Sequence, residues 1–87
     1  MGALKYAAMD EAERLYALFK DHFQITGNRA DMVPRHVVFK WIEEHSGHRV
    51  DDGHLIYIMF YDDIEMDGAD TCVADGDTVY LCGIKAK

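Results

Sequence analysis

The stretch Val50–Met66, VDDGHLIYIMFYDDIEM, contains the densest apolar block of this 87-residue chain. Its centre, Leu55–Tyr61, is a run of aliphatic and aromatic residues without a single charge. Acidic residues flank this run on both sides: Asp51, Asp52, Asp62 and Asp63. Because burying an unpaired carboxylate is costly, the run is expected to cross the core while both of its ends reach water.

These residues alone do not decide whether the block is a helix or a strand. With a period of two, Ile56, Ile58 and Phe60 share one face, and the Ile, Tyr and Phe content favours a strand. As a helix, the block has Asp51 or Asp52 available as its N-cap. Helical spacing places these residues on one stripe: Leu55, Ile58, Met59 and Asp62.

The flanking segments predict further elements. Apolar residues recur at three- and four-residue spacing over residues 4–25, which predicts a first helix. Pro34 fits the first turn of a second helix that ends at Ser46-Gly47. Arg29–Val33 connects the two helices and has room for a very short strand. Asp75-Gly76, between TCVA and TVYLCGI, predicts a β-hairpin.

If the block is a helix, the order of elements is helix, short strand, helix, helix, hairpin, which resembles the winged-helix fold. The ending VYLCGIK, residues 79–85, is also similar to the last wing strand of phage and primase-type winged-helix domains. We therefore expect one domain over residues 1–87, of the α+β class and winged-helix-like. The alternative, with the block as a strand, is two helices packed on a three-stranded antiparallel sheet.

The net charge of −7 lies wholly in the second half of the chain. Residues 1–49 hold equal numbers of acidic and basic residues, whereas residues 50–87 hold nine acids against Lys85 and Lys87. Winged helices usually bind DNA, but proteins hold this polyanion through Lys and Arg. The acidic half therefore argues against direct binding of nucleic acid. Any such contact would have to use basic residues of the first half: Arg29, Arg35, Lys40 and Arg49.

The same charge pattern suits a basic surface on a protein partner. Small phage-type inhibitors, including DNA mimics and anti-CRISPR proteins, are similar in size and charge. We predict a non-enzymatic binding protein, and a winged-helix DNA-binding regulator of transcription or replication is the alternative. A homo-oligomeric module with Tyr57 or Tyr61 at its interface is a third interpretation. The predicted partner-binding residues are the acids of the second half: Asp51, Asp52, Asp62, Asp63, Glu65, Asp67, Asp70, Asp75 and Asp77.

Catalytic and metal-binding spacings are missing from the sequence. Ser46 is the only serine, His45 and His48 have no second ligand pair, and Cys72 and Cys82 are ten residues apart. We therefore predict no enzymatic activity, no metal and no cofactor. Two cysteines cannot build a disulfide framework, so we expect buried thiols in a cytoplasmic protein. No run approaches the ~20 apolar residues that span a membrane.

Overall fold

A computed structural model of the chain describes residues 2–87, and the side chains from residue 8 onward. The fold is α+β, and the predicted order of helix, short strand, helix, helix and hairpin is confirmed. The elements are, in chain order, α1 (Gly2–His22), β1 (Phe23–Ile25), β2 (Met32–Pro34), α2 (Arg35–Ser46), α3 (Leu55–Met66), β3 (Asp70–Ala74), β4 (Thr78–Cys82) and β5 (Ile84–Ala86).

The central apolar block is the helix α3. Its buried side chains recur at helical spacing and face the core: Ile56, Tyr57, Phe60 and Ile64. The stripe that begins with Leu55 and Ile58 therefore lies on the opposite side, where both of these residues remain exposed. Strand propensity is overridden because only a helix buries these four side chains together while the flanking acids stay in water.

The start of α3 differs from the prediction. Its N-cap is His54, whose Nδ1 accepts a 3.2 Å hydrogen bond from the amide of Ile56. Asp51 lies farther upstream, and its Oδ1 accepts a 2.9 Å hydrogen bond from the Gly53 amide within the preceding turn. Neither Asp51 nor Asp52 is the N-cap, so both carboxylates stay in the exposed loop before the helix.

Strands β2, β4 and β3 form a three-stranded antiparallel sheet with β4 in the middle. The predicted hairpin is confirmed, because Asp75, Gly76 and Asp77 join β3 to β4, with φ angles of 50° at Asp75 and 79° at Gly76. The sheet of the alternative fold is thus present. Its third strand comes from Met32–Pro34, however, and not from the central block.

The first helix ends three residues earlier than predicted. Phe23–Ile25 forms β1, which pairs antiparallel with β5, Ile84–Ala86, as a separate two-stranded sheet. The pairing continues beyond the strands, where the Lys87 amide donates a 3.0 Å hydrogen bond to the His22 carbonyl. The strand is favoured over a continued helix here because the pairing buries both Phe23 and Ile84.

Gly83 lies where the chain passes from β4 to β5. Its φ of +86° lies in the left-handed region, and a Cβ at this position would lie 3.0 Å from the Gly68 carbonyl oxygen. Its own amide donates to the Asp31 carbonyl, and its carbonyl accepts from the amides of Thr26 and Gly27, at 2.8 to 3.1 Å. Glycine is therefore required both for its conformation and for its lack of a side chain.

The core is centred on Phe19 of α1, which is fully buried. Its ring centroid lies 4.6 Å from that of Phe23, 5.3 Å from that of Trp41 and 5.5 Å from that of Phe60. The contacts with Trp41 and Phe60 are edge-to-face, a favourable arrangement for aromatic rings. Phe19 thus joins α1, β1, α2 and α3, and the single tryptophan, Trp41, is buried beside it.

The prediction of free, buried thiols is wrong, because Cys72 of β3 and Cys82 of β4 form a disulfide. The two residues are not directly opposite: Cys72 pairs with Tyr80 and Cys82 with Asp70. The diagonal arrangement leaves the Cα atoms 6.1 Å apart, within the range that a disulfide spans. A spacing of ten residues does not reveal this register, since it depends on the length of the turn.

In the part of the chain that the structure describes, no helix combines the length and the apolar character needed to cross a membrane.

Candidate partner-binding surface

The outward side of α3 is apolar and acidic at once. Leu55 and Ile58 are 41% and 43% exposed, and Met66 is 86% exposed. Asp62 and Glu65 are exposed on the same helix. A surface helix ordinarily turns polar side chains to water, so large apolar residues among acids are typical of a contact surface.

A groove of about 680 Å³ runs between α1 and α3, and we refer to it as the α1–α3 groove. Methionines and small residues form its walls and floor, and charged side chains lie among them. The lining residues are Met9, Ala12, Glu13, Tyr16, Ala17 and Lys20 from α1, and Met59, Asp62, Asp63, Met66 and Asp67 from α3 and its C-cap.

The α1 wall was missed by sequence reasoning. Met9, Glu13, Tyr16 and Lys20 follow one another at spacings of four, three and four residues. These positions form a second helical stripe beside the core stripe that contains Phe19. The spacing was a usable signal, but its mixture of apolar and charged residues does not resemble a core face.

Tyr16 and Asp67 connect the two walls. The Tyr16 hydroxyl donates a 2.7 Å hydrogen bond to Asp67 Oδ2, from the middle of α1 to the C-cap of α3. Burial raises the pKa of Tyr16 well above its ordinary value, and the hydrogen bond to Asp67 raises it further. The hydroxyl thus remains a donor at any physiological pH. The Lys20 ammonium lies 5.0 Å from the centroid of the Tyr16 ring.

The pKa of Asp63 reflects the excess of negative charge in the groove. Burial raises the pKa of this carboxyl, and the neighbouring charges of Asp67, Asp62 and Glu13 raise it as well, whereas Lys20 lowers it. The single ammonium therefore does not offset the carboxylates around it. A cation supplied by a partner would lie in a favourable potential there.

The predicted acids of the helix and of the loop before it converge only in part. Asp62, Asp63 and Asp67 meet in the α1–α3 groove. Asp62 also borders a second pocket of about 200 Å³, which Asp52 shares with Arg35, Tyr57, Ile58, Tyr61 and Thr71. Asp51 and Glu65 are exposed and line neither of these two pockets.

The predicted acids of the hairpin are placed elsewhere. Asp70 accepts two hydrogen bonds from the Arg29 guanidinium, at 2.8 and 3.0 Å, and is therefore neutralised within the chain. Asp75 accepts a 2.7 Å hydrogen bond from the Tyr80 hydroxyl, and Asp77 is exposed in the same turn. Among the side chains of residues 8–87, Asp70 is the one predicted acid in an ion pair with Lys or Arg.

Tyr57 is not available for an interface between copies of the chain. It is only 4% exposed, and its ring packs edge-on against Phe39 with 4.7 Å between centroids. Tyr61 is half-buried and packs against the core. The predicted role of Tyr57 in a homo-oligomer is therefore wrong, because α3 is a helix that turns this residue inward.

Within the described residues, no three His, Cys, Asp or Glu side chains are grouped so that they could hold a metal ion. No model of a known protein family, no curated protein and no solved structure matches the chain. The relation to winged-helix proteins stays a prediction, and the surface is interpreted from its own residues.

Proposed function

We propose that this protein is a non-enzymatic binding protein that engages a basic surface of a protein partner through α3 and the carboxylates around it. One observation carries the proposal: the exposed side of α3 presents Leu55, Ile58 and Met66 among acids. The sequence contains no Lys or Arg from Val50 to Ile84, so no charge of opposite sign interrupts this stretch.

The two components of the surface have different roles in binding. Carboxylates attract a basic partner over a distance and accelerate the encounter, an effect that salt screens. Apolar side chains supply most of the affinity once the surfaces touch, because their burial removes area from water. An exposed helix with both properties suits a partner whose basic surface also has apolar residues.

The partner class follows from the charge. Basic surfaces on proteins commonly serve nucleic acid, and an acidic surface that occupies one acts as an inhibitor or a DNA mimic. We propose this class of partner, in line with the similarity in size and charge to small phage-type inhibitors. A cytoplasmic location is part of this proposal. It requires that Cys72 and Cys82 be reduced in the cell, since disulfides are rare in the cytosol.

A DNA-binding regulator is the second candidate. The order of elements and the strand order β2-β4-β3 favour it, because α3 then takes the place of a recognition helix before the wing. The charge opposes it: α3 and the β3–β4 hairpin contain no Lys or Arg, and phosphates would meet carboxylates.

The test is capture from a cell lysate, with washes at about 50 mM and about 500 mM salt, where the Debye length shortens severalfold. We expect a basic protein that is retained at low salt and released at high salt. In parallel, the protein is mixed with random duplex DNA at about 150 mM salt, and no complex is expected. Salt-sensitive binding of submicromolar affinity to duplex DNA would favour the second candidate and contradict the proposal.

A further inference from the structure

We infer that the α1–α3 groove binds one basic amphipathic helix of the partner, with its apolar side on the methionines and its Lys or Arg residues against the carboxylates. The inference rests on the proposed function and specifies which part of the partner is held. It draws on the shape, the lining and the charge of the groove.

The apolar contacts of the groove come mainly from methionines. Met9 is 45% exposed on α1, Met66 is the most exposed large apolar residue on α3, and Met59 is half-buried between them. Methionine side chains are flexible and polarizable, and they adapt to apolar partners of different shapes. Ala12 and Ala17 keep the α1 wall low, which leaves room for a partner's side chains.

The charge of the groove selects a basic occupant. Four carboxylates line it, and Lys20 is the one basic side chain among its lining residues: Glu13, Asp62, Asp63 and Asp67 are the acids. A helix with Lys or Arg beside its apolar stripe would place cations near carboxylates on both walls. The net negative lining disfavours an acidic peptide, since like charges oppose its approach, and it offers a neutral peptide no electrostatic attraction.

The length of the groove matches a short helical segment. The α1 wall extends from Met9 to Lys20, eleven residue steps, which is about 16 Å at 1.5 Å per residue. A partner helix of about three turns covers that distance. Such a segment contacts a groove through apolar residues at i, i+3 or i+4, and i+7.

Two other occupants fit the same groove less well. In a symmetric dimer of this chain, the same net negative patch lies on both sides of the interface, so carboxylates of one copy would lie near carboxylates of the second. A bilayer surface with anionic lipids would likewise repel the lining acids. A basic protein segment is the occupant that the charge permits.

The probe is a fluorescein-labelled synthetic peptide of about 14 residues, with leucine on one helical face and lysine elsewhere. A permuted peptide of identical composition, with the leucines spread around the helix, has the same charge but no stripe. A third peptide keeps the leucine stripe and replaces lysine by glutamate. Binding to the full-length protein is followed by fluorescence anisotropy. We expect the first peptide to bind at least about tenfold more tightly than the second, and the third not to bind.

Matched variants locate the peptide on the protein. The double variant Met9→Gln/Met66→Gln keeps side-chain length and net charge. We expect it to bind the leucine–lysine peptide about tenfold more weakly. Leu18→Gln/Val73→Thr changes two exposed apolar residues outside the groove and should leave binding unchanged. Glu13→Gln/Asp62→Asn should weaken binding and reduce its dependence on salt, whereas Asp10→Asn/Asp21→Asn should not.

Several outcomes would overturn the inference. If the permuted peptide binds as well as the striped one and the methionine variant has no effect, the groove is not a helix site, while an acidic binding surface still stands. If neither basic peptide binds, or if the glutamate peptide binds equally well, the groove inference fails too. The proposed function is then decided separately by the lysate capture at the two salt concentrations. A dimer of the free protein in sedimentation at micromolar concentration, lost in the methionine variant, would assign the groove to a second copy.

Discussion

The Tyr16 hydroxyl of α1 donates a 2.7 Å hydrogen bond to Asp67 Oδ2 at the C-cap of α3, between residues 51 positions apart in the chain. The same Tyr16 ring packs edge-on against Phe60, with 5.4 Å between ring centroids. The core and one wall of the α1–α3 groove therefore share a residue. This contact joins the middle of α1 to the C-terminal end of α3 beside the groove.

Loss of this hydrogen bond should be measurable. Tyr16→Phe keeps the buried ring and removes the donor, so we expect the free energy of unfolding to fall by about 1.5–3 kcal/mol, the range for a hydrogen bond to a charged group. Urea unfolding measures the change. Tyr80→Phe is the control, because its hydroxyl also donates to a carboxylate, Asp75, but in an exposed turn. Equal losses in the two variants would show that the Tyr16–Asp67 bond does not hold the helices together.

Asp63 should make the stability of the protein depend on pH. Its pKa is raised in the folded state by burial and by the charges of Asp67 and Asp62, so the folded protein binds this proton more tightly than the unfolded chain does. The contribution is therefore fully present below the ordinary carboxyl pKa and is lost as the pH rises through the raised value. Asp63→Asn should be more stable than the natural protein at about pH 7, by no more than about 0.5 kcal/mol, because the half-buried carboxyl still reaches solvent, which screens its interactions.

The advantage of Asp63→Asn should shrink as the pH falls toward about 4. Thermal unfolding at several pH values measures this trend, and Asp10→Asn, an exposed residue of α1, is the control for loss of one charge. A gain that is constant with pH, or a loss of stability at neutral pH, would contradict the account of the groove as an uncompensated acidic site.

Gly83 should tolerate no side chain. Gly83→Ala combines a positive φ with a Cβ only 3.0 Å from the Gly68 carbonyl oxygen, so we expect a loss of about 2–4 kcal/mol or more. Gly47→Ala has a similar φ of +77° at the end of α2, but its Cβ would meet nothing within 4 Å. It should lose about 1 kcal/mol, the cost of the backbone conformation alone. Chemical denaturation compares the two, and equal losses would mean that the close approach at Gly83 is relieved by a small shift.

Much of the fold could be predicted because local signals agree with it. The helical spacing of the first half, the Ser46-Gly47 stop and the Asp75-Gly76 turn each depend on residues close in sequence. The Leu55–Met66 block could not be decided by propensity, since its Ile, Tyr and Phe content favours a strand. The core packing decides, because Tyr57 can face the core together with Ile56 and Phe60 only if the block is a helix.

What could not be predicted depends on long-range pairing. Strand β1 looks like the end of the first helix, because Phe23 continues the apolar spacing of α1, and its partner Ala86 is 63 residues away. The disulfide depends on the register of β3 and β4, which the turn determines. A sequence pattern reports neither the distance between such segments nor their register.

The sequence predicted only one of the two walls of the candidate site. The acids of α3 are visible in the sequence as an uninterrupted negative stretch, and three of them meet in the groove. The opposite wall, with Met9 and Glu13, belongs to a segment of balanced charge and gave no such signal. Asp70 is not a free partner-binding carboxylate, because it pairs with Arg29, which lies 41 residues away in the chain.

The Cys72–Cys82 disulfide should stabilise the hairpin and, with it, the sheet. It closes a loop of ten residues, so its loss should cost about 2–3 kcal/mol through the greater freedom of the unfolded chain. Urea unfolding with and without a reducing agent measures the effect. The variant Cys72→Ala/Cys82→Ala, which cannot respond to the reducing agent, is the control. Identical midpoints for the natural protein in both conditions would show that the two cysteines are not bonded in solution.

The central claim is that the acids of α3 bind the partner, and association kinetics test it most directly. One variant neutralises Asp62, Asp63, Glu65 and Asp67 to Asn or Gln. A second neutralises the same number of exposed or half-buried acids elsewhere: Asp10, Glu11, Asp21 and Glu44. The two variants have equal net charge, so any difference between them reports position.

Association with the captured basic partner is followed by stopped-flow fluorescence over a series of salt concentrations. Each exposed ion pair contributes only ~0.2–1 kcal/mol, so single substitutions should have small effects. The first variant should associate at least about tenfold more slowly at low salt, with a flatter salt dependence, while the second stays close to the natural protein. If the second variant is equally slow, or is the slower of the two, the acids of α3 are only a solvated surface and the account is wrong.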